Sequence, residues 1–140
     1  MFETNRAVVF PWHCDQYHHM NTRHYLAMFD DAGAHMMHHL GYSLEAGKET
    51  RQGWADVEHT IRYLQEVSNG ALLKIESQPL EVGRKSLRYR HVMSNVATGE
   101  KVATLDGVVL SFDLEQRKAI EVPAAIRSKC LEYIESQSDV

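Results

Sequence analysis

The sequence predicts an α+β fold: one long helix with an antiparallel sheet. Three observations predict it. Apolar side chains at Tyr25, Met28, Phe29, Ala32, Met36 and Leu40 recur at helical spacing. From Val57 the period changes to two, as Val57, His59, Ile61 and Tyr63 alternate with Glu58, Thr60 and Arg62. Three turn signals then divide the remaining strand-like sequence: Ser68-Asn69-Gly70, Gly83-Arg84 and Thr98-Gly99-Glu100.

Taken in order, residues 5–10 read as a first strand. Pro11 closes it, because proline lacks the N–H that a ladder needs. A polar loop follows from Trp12 to Asn21. The long helix is expected from Thr22 to Leu40, with Asn21 as N-cap and Gly41 at the C′ position. Gly33, in mid-helix, weakens the helix by roughly 1 kcal/mol relative to Ala, and a close approach to the sheet is the expected compensation. Tyr42 to Trp54 reads as a polar connection. Strands are expected at 57–63, 72–82, 86–96 and 101–112, the last the most apolar. After Pro123 a short amphipathic helix presents Ile126, Leu131 and Ile134. One helix covers one face of such a curled sheet and leaves strand edges open. Open edges are paired or blocked in stable proteins, so two copies are expected to join.

At 140 residues the chain fits a single domain, 1–140. Its net charge of -4 gives no support for nucleic-acid binding. No apolar run approaches the ~18 residues of a membrane span, and the N-terminus lacks a secretory pattern. Cys14 and Cys130 form no Cys-x-x-Cys pair, which points to a reducing, cytoplasmic setting.

The chemistry concentrates in Asp15-Gln-Tyr-His-His-Met-Asn-Thr-Arg-His-Tyr25. An acid and several imidazoles stand just ahead of a helix start, where backbone N–H groups lack helical partners. Such a loop can attack a carbonyl and hold the oxyanion. Asp15 is the candidate base or nucleophile, with an Asx-turn as its plainer role. His19 is a proton donor or an orienting group, and Asn21 is a cap before it is a substrate contact. Glu58 is a candidate second acid or a solvated strand residue. His35 and His39 share a helical face, but no third metal ligand is evident, and no cofactor is expected. Cys14, beside His13 and His18, is a weaker nucleophile candidate. Arg84, Lys85, Arg88 and Arg90 form a basic cluster. Lys85 and Arg88 are the candidates for holding phosphates by charge-assisted bonds.

The loop matches the pattern Asp-x-x-x-His-Val-Asn-Asn-x-x-Tyr at Asp15, His19, Met20, Asn21, Thr22 and Tyr25. Tyr63 and Glu66 before Asn69-Gly70, the Thr98-Gly99 turn, Ala103-Thr104, and Phe112-Asp113 followed by Pro123 also fit. On these residues the chain resembles the hot-dog fold acyl-CoA thioesterases, in the 4-hydroxybenzoyl-CoA thioesterase-like and acyl-ACP thioesterase-like branches. The resemblance implies a long helix wrapped by a curled antiparallel sheet. It gives Asp15 the base or nucleophile role and assigns the oxyanion to the backbones of Thr22 and Arg23. It implies hydrolysis of an acyl-CoA, with the acyl group open among betainyl, aromatic and fatty; the open strand edges point to a homodimer or homotetramer. Tyr17 and His18 depart from the pattern, replacing Asn in acyl-ACP thioesterases and Gly in related bacterial enzymes. The competing reading is a non-hydrolytic hot-dog protein, either a dehydratase or isomerase or an acyl-CoA binder.

Overall fold

Asn21 starts the long helix as expected: its side-chain oxygen accepts the Arg23 N–H at 3.2 Å. Helix α1 runs from Thr22 to His39. It ends in paired bonds from Gly41 N–H to His38 O (3.0 Å) and from Tyr42 N–H to Met37 O (2.9 Å), a Schellman closure. Gly41, at φ 100, supplies the left-handed conformation that this closure needs. All six apolar positions read from the sequence are buried.

The computed structural model describes residues 1–138. Before α1 lies strand β1 (Phe2–Val8), which ends two residues earlier than the sequence suggested. Pro11 presets a 3-10 turn over Pro11–His13, so the ladder stops with Val8 opposite Leu72. After α1 come helix α2 (Leu44–Thr50) and strands β2 (Gln52–Tyr63), β3 (Leu72–Val82), β4 (Ser86–Asn95), β5 (Lys101–Asp113) and β6 (Lys118–Ala119). Helix α3 (Ala124–Ser138) follows.

Four readings need correction. The polar connection contains α2, capped by the Ser43 hydroxyl on Ala46 N–H (3.1 Å) and closed by Arg51 at φ 60. The strand expected at 57–63 begins at Gln52. Ser68-Asn69-Gly70 is a turn, with Ala71 N–H on Ser68 O, but it does not join neighbouring strands. The sheet order is β1-β3-β4-β5-β2, with β6 on β5, so β2 lies at an edge beside β5 and not beside β3. On α3, Ile126 is buried as expected and Ile134 is half-buried, but Leu131 is exposed and Cys130 takes the inward place beside it.

Packing divides the chain into two compact units. The first comprises residues 1–35, 61–77 and 91–105. Its core holds Phe29, Met20, Leu73, Ile75 and Met93 around a buried polar chain. In that chain Ser77 Oγ lies 2.6 Å from His91 Nδ1 and 2.7 Å from Thr4 Oγ1, and Thr4 donates to Ile75 O. Every member is thereby partnered, and Phe29 stacks on the His91 ring. Gly33 faces this histidine. A β-carbon there would sit 3.8 Å from His91 Nε2, which is ordinary contact. The helix therefore leaves room for a methyl group, and Gly33 is not required by close packing.

The second unit comprises residues 36–60, 78–90 and 106 onward. Its core includes Met36, Leu40, Leu87, Val109 and Ile126. The hydroxyl end of the Tyr89 ring lies over Gly107, where a β-carbon would come within 2.4 Å of it. The Tyr89 hydroxyl donates to Asp56 Oδ1 (3.1 Å) and lies 3.2 Å from His59 Nε2, so two partners fix that end of the ring.

The two glycines predict opposite responses to alanine. Gly107→Ala should destabilise the fold by about 1–3 kcal/mol, the scale of overpacking a fixed neighbour. Gly33→Ala should stabilise it by up to ~1 kcal/mol through helix propensity. Urea denaturation of both variants checks the signs. Unchanged stability of Gly107→Ala would mean that Tyr89 can move aside.

Candidate active site

The loop between the 3-10 turn and α1 is closed by its own backbone. Asp15 N–H donates to His19 O (3.2 Å), His18 N–H to Asp15 O (3.0 Å), and Asn21 N–H to His13 O (2.9 Å). Met20 N–H donates to Val67 O (2.8 Å), and Met20 is buried. The opening residues are pinned by Phe10 N–H on His13 Nδ1 at 2.9 Å. The His13 ring meets His24 edge-on, with centroids 4.9 Å apart.

Asp15 stands inside this frame. One carboxylate oxygen accepts the Tyr17 N–H (2.9 Å), which is the Asx-turn, and the other accepts the Asn21 amide (2.9 Å). The Tyr17 amide and then Asn21 hold its carboxyl below the usual carboxylate range. Burial works against them, and His19 adds a smaller attraction. Asp15 is therefore ionised at neutral pH. Each oxygen keeps lone-pair capacity for a water or a substrate.

Asn21 does more than cap. Its oxygen accepts both the N–H and the Nε of Arg23, while its amide nitrogen holds Asp15. The two oxyanion candidates are thereby separated. The Arg23 N–H is occupied, whereas the Thr22 N–H has no acceptor among the described residues. Thr22 is thus the open donor, at the positive end of an 18-residue helix. His19 lies 3.8 Å from Glu66 through Nε2, and Tyr17 stacks on its ring. His24 is pushed down, first by burial and then by His13 and Arg23.

Glu58 and the basic cluster lie in the second unit. Glu58 is exposed on β2. The basic cluster is largely neutralised by facing acids. Arg88 pairs with Glu81 at 3.2 Å, Arg84 with Glu121 at 2.9 Å, and Arg90 is bidentate on Asp106. Lys85 is exposed, with no carboxylate partner among the described residues. His35 is exposed, and His39 contacts the Tyr133 ring. Among the described residues no group of three or more His, Cys, Asp or Glu could hold a metal ion. Cys14 donates weakly to Phe10 O, and burial pushes the Cys130 thiol up to about 11.

A cavity of about 230 Å³ opens beside the loop, lined by His19 and Thr22 and by Tyr25, Tyr63, Leu64 and Glu66. Tyr63 and Glu66 were noticed in the sequence only as matching features. Their approach to the loop depends on the chain returning from β2, which no local pattern reveals.

The fold, together with this loop ahead of a long helix, defines a thioesterase-like protein of α+β hot-dog architecture. The chain belongs to the Thioesterase-like superfamily, whose family model matches residues 9–130. It is 30% identical over 121 residues to the L-carnitine dehydrogenase/betainyl-CoA thioesterase of Agrobacterium fabrum, covering 86% of this chain and 24% of that protein. The chain thus spans about a quarter of that relative's length. The betainyl-CoA thioesterase of Pseudomonas aeruginosa is 25% identical over 112 residues, covering 80% of this chain and 70% of that one. A hypothetical protein from Staphylococcus aureus, solved in complex with CoA, superposes with a TM-score of 0.87 at 17% identity. That superposition covers 96% of this chain and 87% of the other.

His18 adopts φ 67, a left-handed conformation that suits glycine, while its side chain is exposed. The loop therefore has the form that a glycine takes, with histidine carrying a strain of about 1 kcal/mol. His18→Gly should relieve it. The greater chain entropy of glycine offsets part of the gain, so the net stabilisation should be below ~1 kcal/mol. A rise in Tm checks this. A fall would mean that the imidazole itself packs.

Proposed function

We propose that the chain hydrolyses acyl-CoA thioesters, with Asp15 as base or nucleophile and the Thr22 N–H as oxyanion donor. The observation that carries the reading is the ionised Asp15, tied by one amide to the start of a helix whose first N–H is open. Acting as base, Asp15 takes a proton from water as the water oxygen bonds to the thioester carbon. The carbonyl oxygen gains negative charge, which Thr22 N–H and the helix dipole stabilise. Collapse breaks the C–S bond, and the departing thiolate recovers the proton from Asp15. Acting as nucleophile, the carboxylate bonds to the acyl carbon and expels the thiolate, leaving a mixed anhydride; water then opens it, freeing the carboxylic acid and Asp15 and supplying the proton the thiolate takes up. CoA enters as part of the substrate, and no separate cofactor is needed. Lys85, and Arg88 if it leaves Glu81, are candidates to meet CoA phosphates, and Glu58 is the candidate second acid. Both cysteines are free, in keeping with a reducing cytoplasm.

The names of the curated relatives make betainyl-CoA the first thioester to assay, beside short neutral and aromatic acyl-CoAs. On the thioester turned over, Asp15→Asn should lower kcat by roughly 100-fold or more with little change in KM. Near-normal hydrolysis by that variant would remove Asp15 from the mechanism. A variant and parent that bind acyl-CoA equally, with neither turning it over, would favour the non-hydrolytic reading.

The reading includes a second copy of the chain. β2 is an edge strand, its residues 56–60 are exposed, and Val57 is 56% exposed. An open edge with apolar exposure favours pairing, and two-fold assemblies are the commonest solution. Sedimentation at micromolar concentration should give a dimer or tetramer. A fully active monomer would contradict this part of the proposal.

A further inference from the structure

We infer that the cavity beside the catalytic loop selects an acyl group carrying a positive charge, and that Tyr63 and Glu66 are the residues that read this charge. The inference rests on the proposed hydrolase reading and deepens it, because that reading leaves the chemistry of the acyl group open.

The cavity adjoins the reacting groups. His19 and Thr22 line it, Thr22 bears the open N–H, and the His19 carbonyl holds the Asp15 amide. An acyl carbonyl placed between Asp15 and Thr22 would extend its tail into this space. At about 230 Å³ the space admits a compact acyl group.

Its lining is electron-rich. Tyr25 and Tyr63 meet edge to face, with centroids 5.0 Å apart at 84°. The Glu66 carboxylate lies alongside, and Gln65 is bonded at 3.0 Å to a second carboxylate, Glu100. Among the described residues no lysine or arginine lines the cavity. The nearby Arg23 guanidinium is engaged by Asn21. Burial, then Tyr63 and Glu66, push the Tyr25 phenol up, in keeping with a locally negative potential. His19, whose imidazole lies 3.8 Å from Glu66, is the titratable group able to bring positive charge to the lining.

Aromatic faces with a carboxylate and no competing cation favour a quaternary ammonium. Such a group cannot donate a hydrogen bond, so it is held by ring quadrupoles and charge alone. An anionic acyl group would meet the like charge of Glu66, with neutral hydroxyls of Thr22, Tyr25 and Tyr63 as its donors in place of a lysine or arginine.

The test compares two thioesters of one shape. Betainyl-CoA ends in a trimethylammonium, and 3,3-dimethylbutanoyl-CoA is its neutral carbon isostere. The chain should favour the cation by roughly tenfold or more in kcat/KM, and added salt should lower that ratio. Glu66→Gln and Tyr63→Leu should each draw the ratio toward one. Equal turnover of the two thioesters, or a ratio that neither variant moves, would overturn the inference. Turnover of neutral acyl-CoAs without preference for the cation would sink it while leaving hydrolysis standing. If no thioester is hydrolysed, the hydrolase reading fails by itself. Calorimetric binding of the same two thioesters then decides the charge preference, and equal affinity would overturn it.

Discussion

One primary amide ties the candidate site together. Asn21 gives its nitrogen to Asp15 and its oxygen to the first turn of α1. The orientation is dictated by charge. Turned round, the amide would set its oxygen against the Asp15 carboxylate and its nitrogen against the N–H and Nε–H of Arg23, losing all three bonds. Aspartate at this position would place two carboxylates in contact. Serine could cap the helix but could not span to Asp15 as well. The separation between the acid and the open Thr22 N–H is therefore set by a single short side chain with no freedom to exchange its ends.

That amide needs a firm base. In the first unit, Tyr25, Met28, Phe29 and Ala32 bury the inward stripe of α1. The partnered Thr4–Ser77–His91 chain lets polar atoms share that core without an unmet donor or acceptor. Met20, at the loop's end, is buried and bonded to Val67. The apolar packing thus holds both the last residue before Asn21 and the helix after it, and the Asp15 loop is stretched between two fixed points.

What could be read in the sequence was local. The stripe of α1, its Asn21 cap, the Gly41 closure and the crowded Asp15 loop all rest on residues within a few positions of one another. What depended on distant pairing could not be read. Ser68-Asn69-Gly70 announces a turn, yet nothing in those residues says that β2 crosses to the far edge of the sheet. The basic run from Arg84 to Arg90 looked free because Glu81, Asp106 and Glu121 face it only once the strands are paired. Helix α2 was hidden by its length and by Gly47, although Ser43 carried a cap signal. The choice between Thr22 and Arg23 as oxyanion donor turned on which N–H the Asn21 oxygen takes, and spacing alone does not decide that.

The bond from Phe10 N–H to His13 Nδ1 has a consequence for the loop's response to acid. A ring nitrogen accepts only through a free lone pair, so this bond requires His13 to carry its single proton on Nε2. A second proton on the ring would abolish the acceptor and set a cation against His24, itself disfavoured as a cation by burial. The loop is thus fastened at its entrance by a clasp that exists only while one imidazole is neutral.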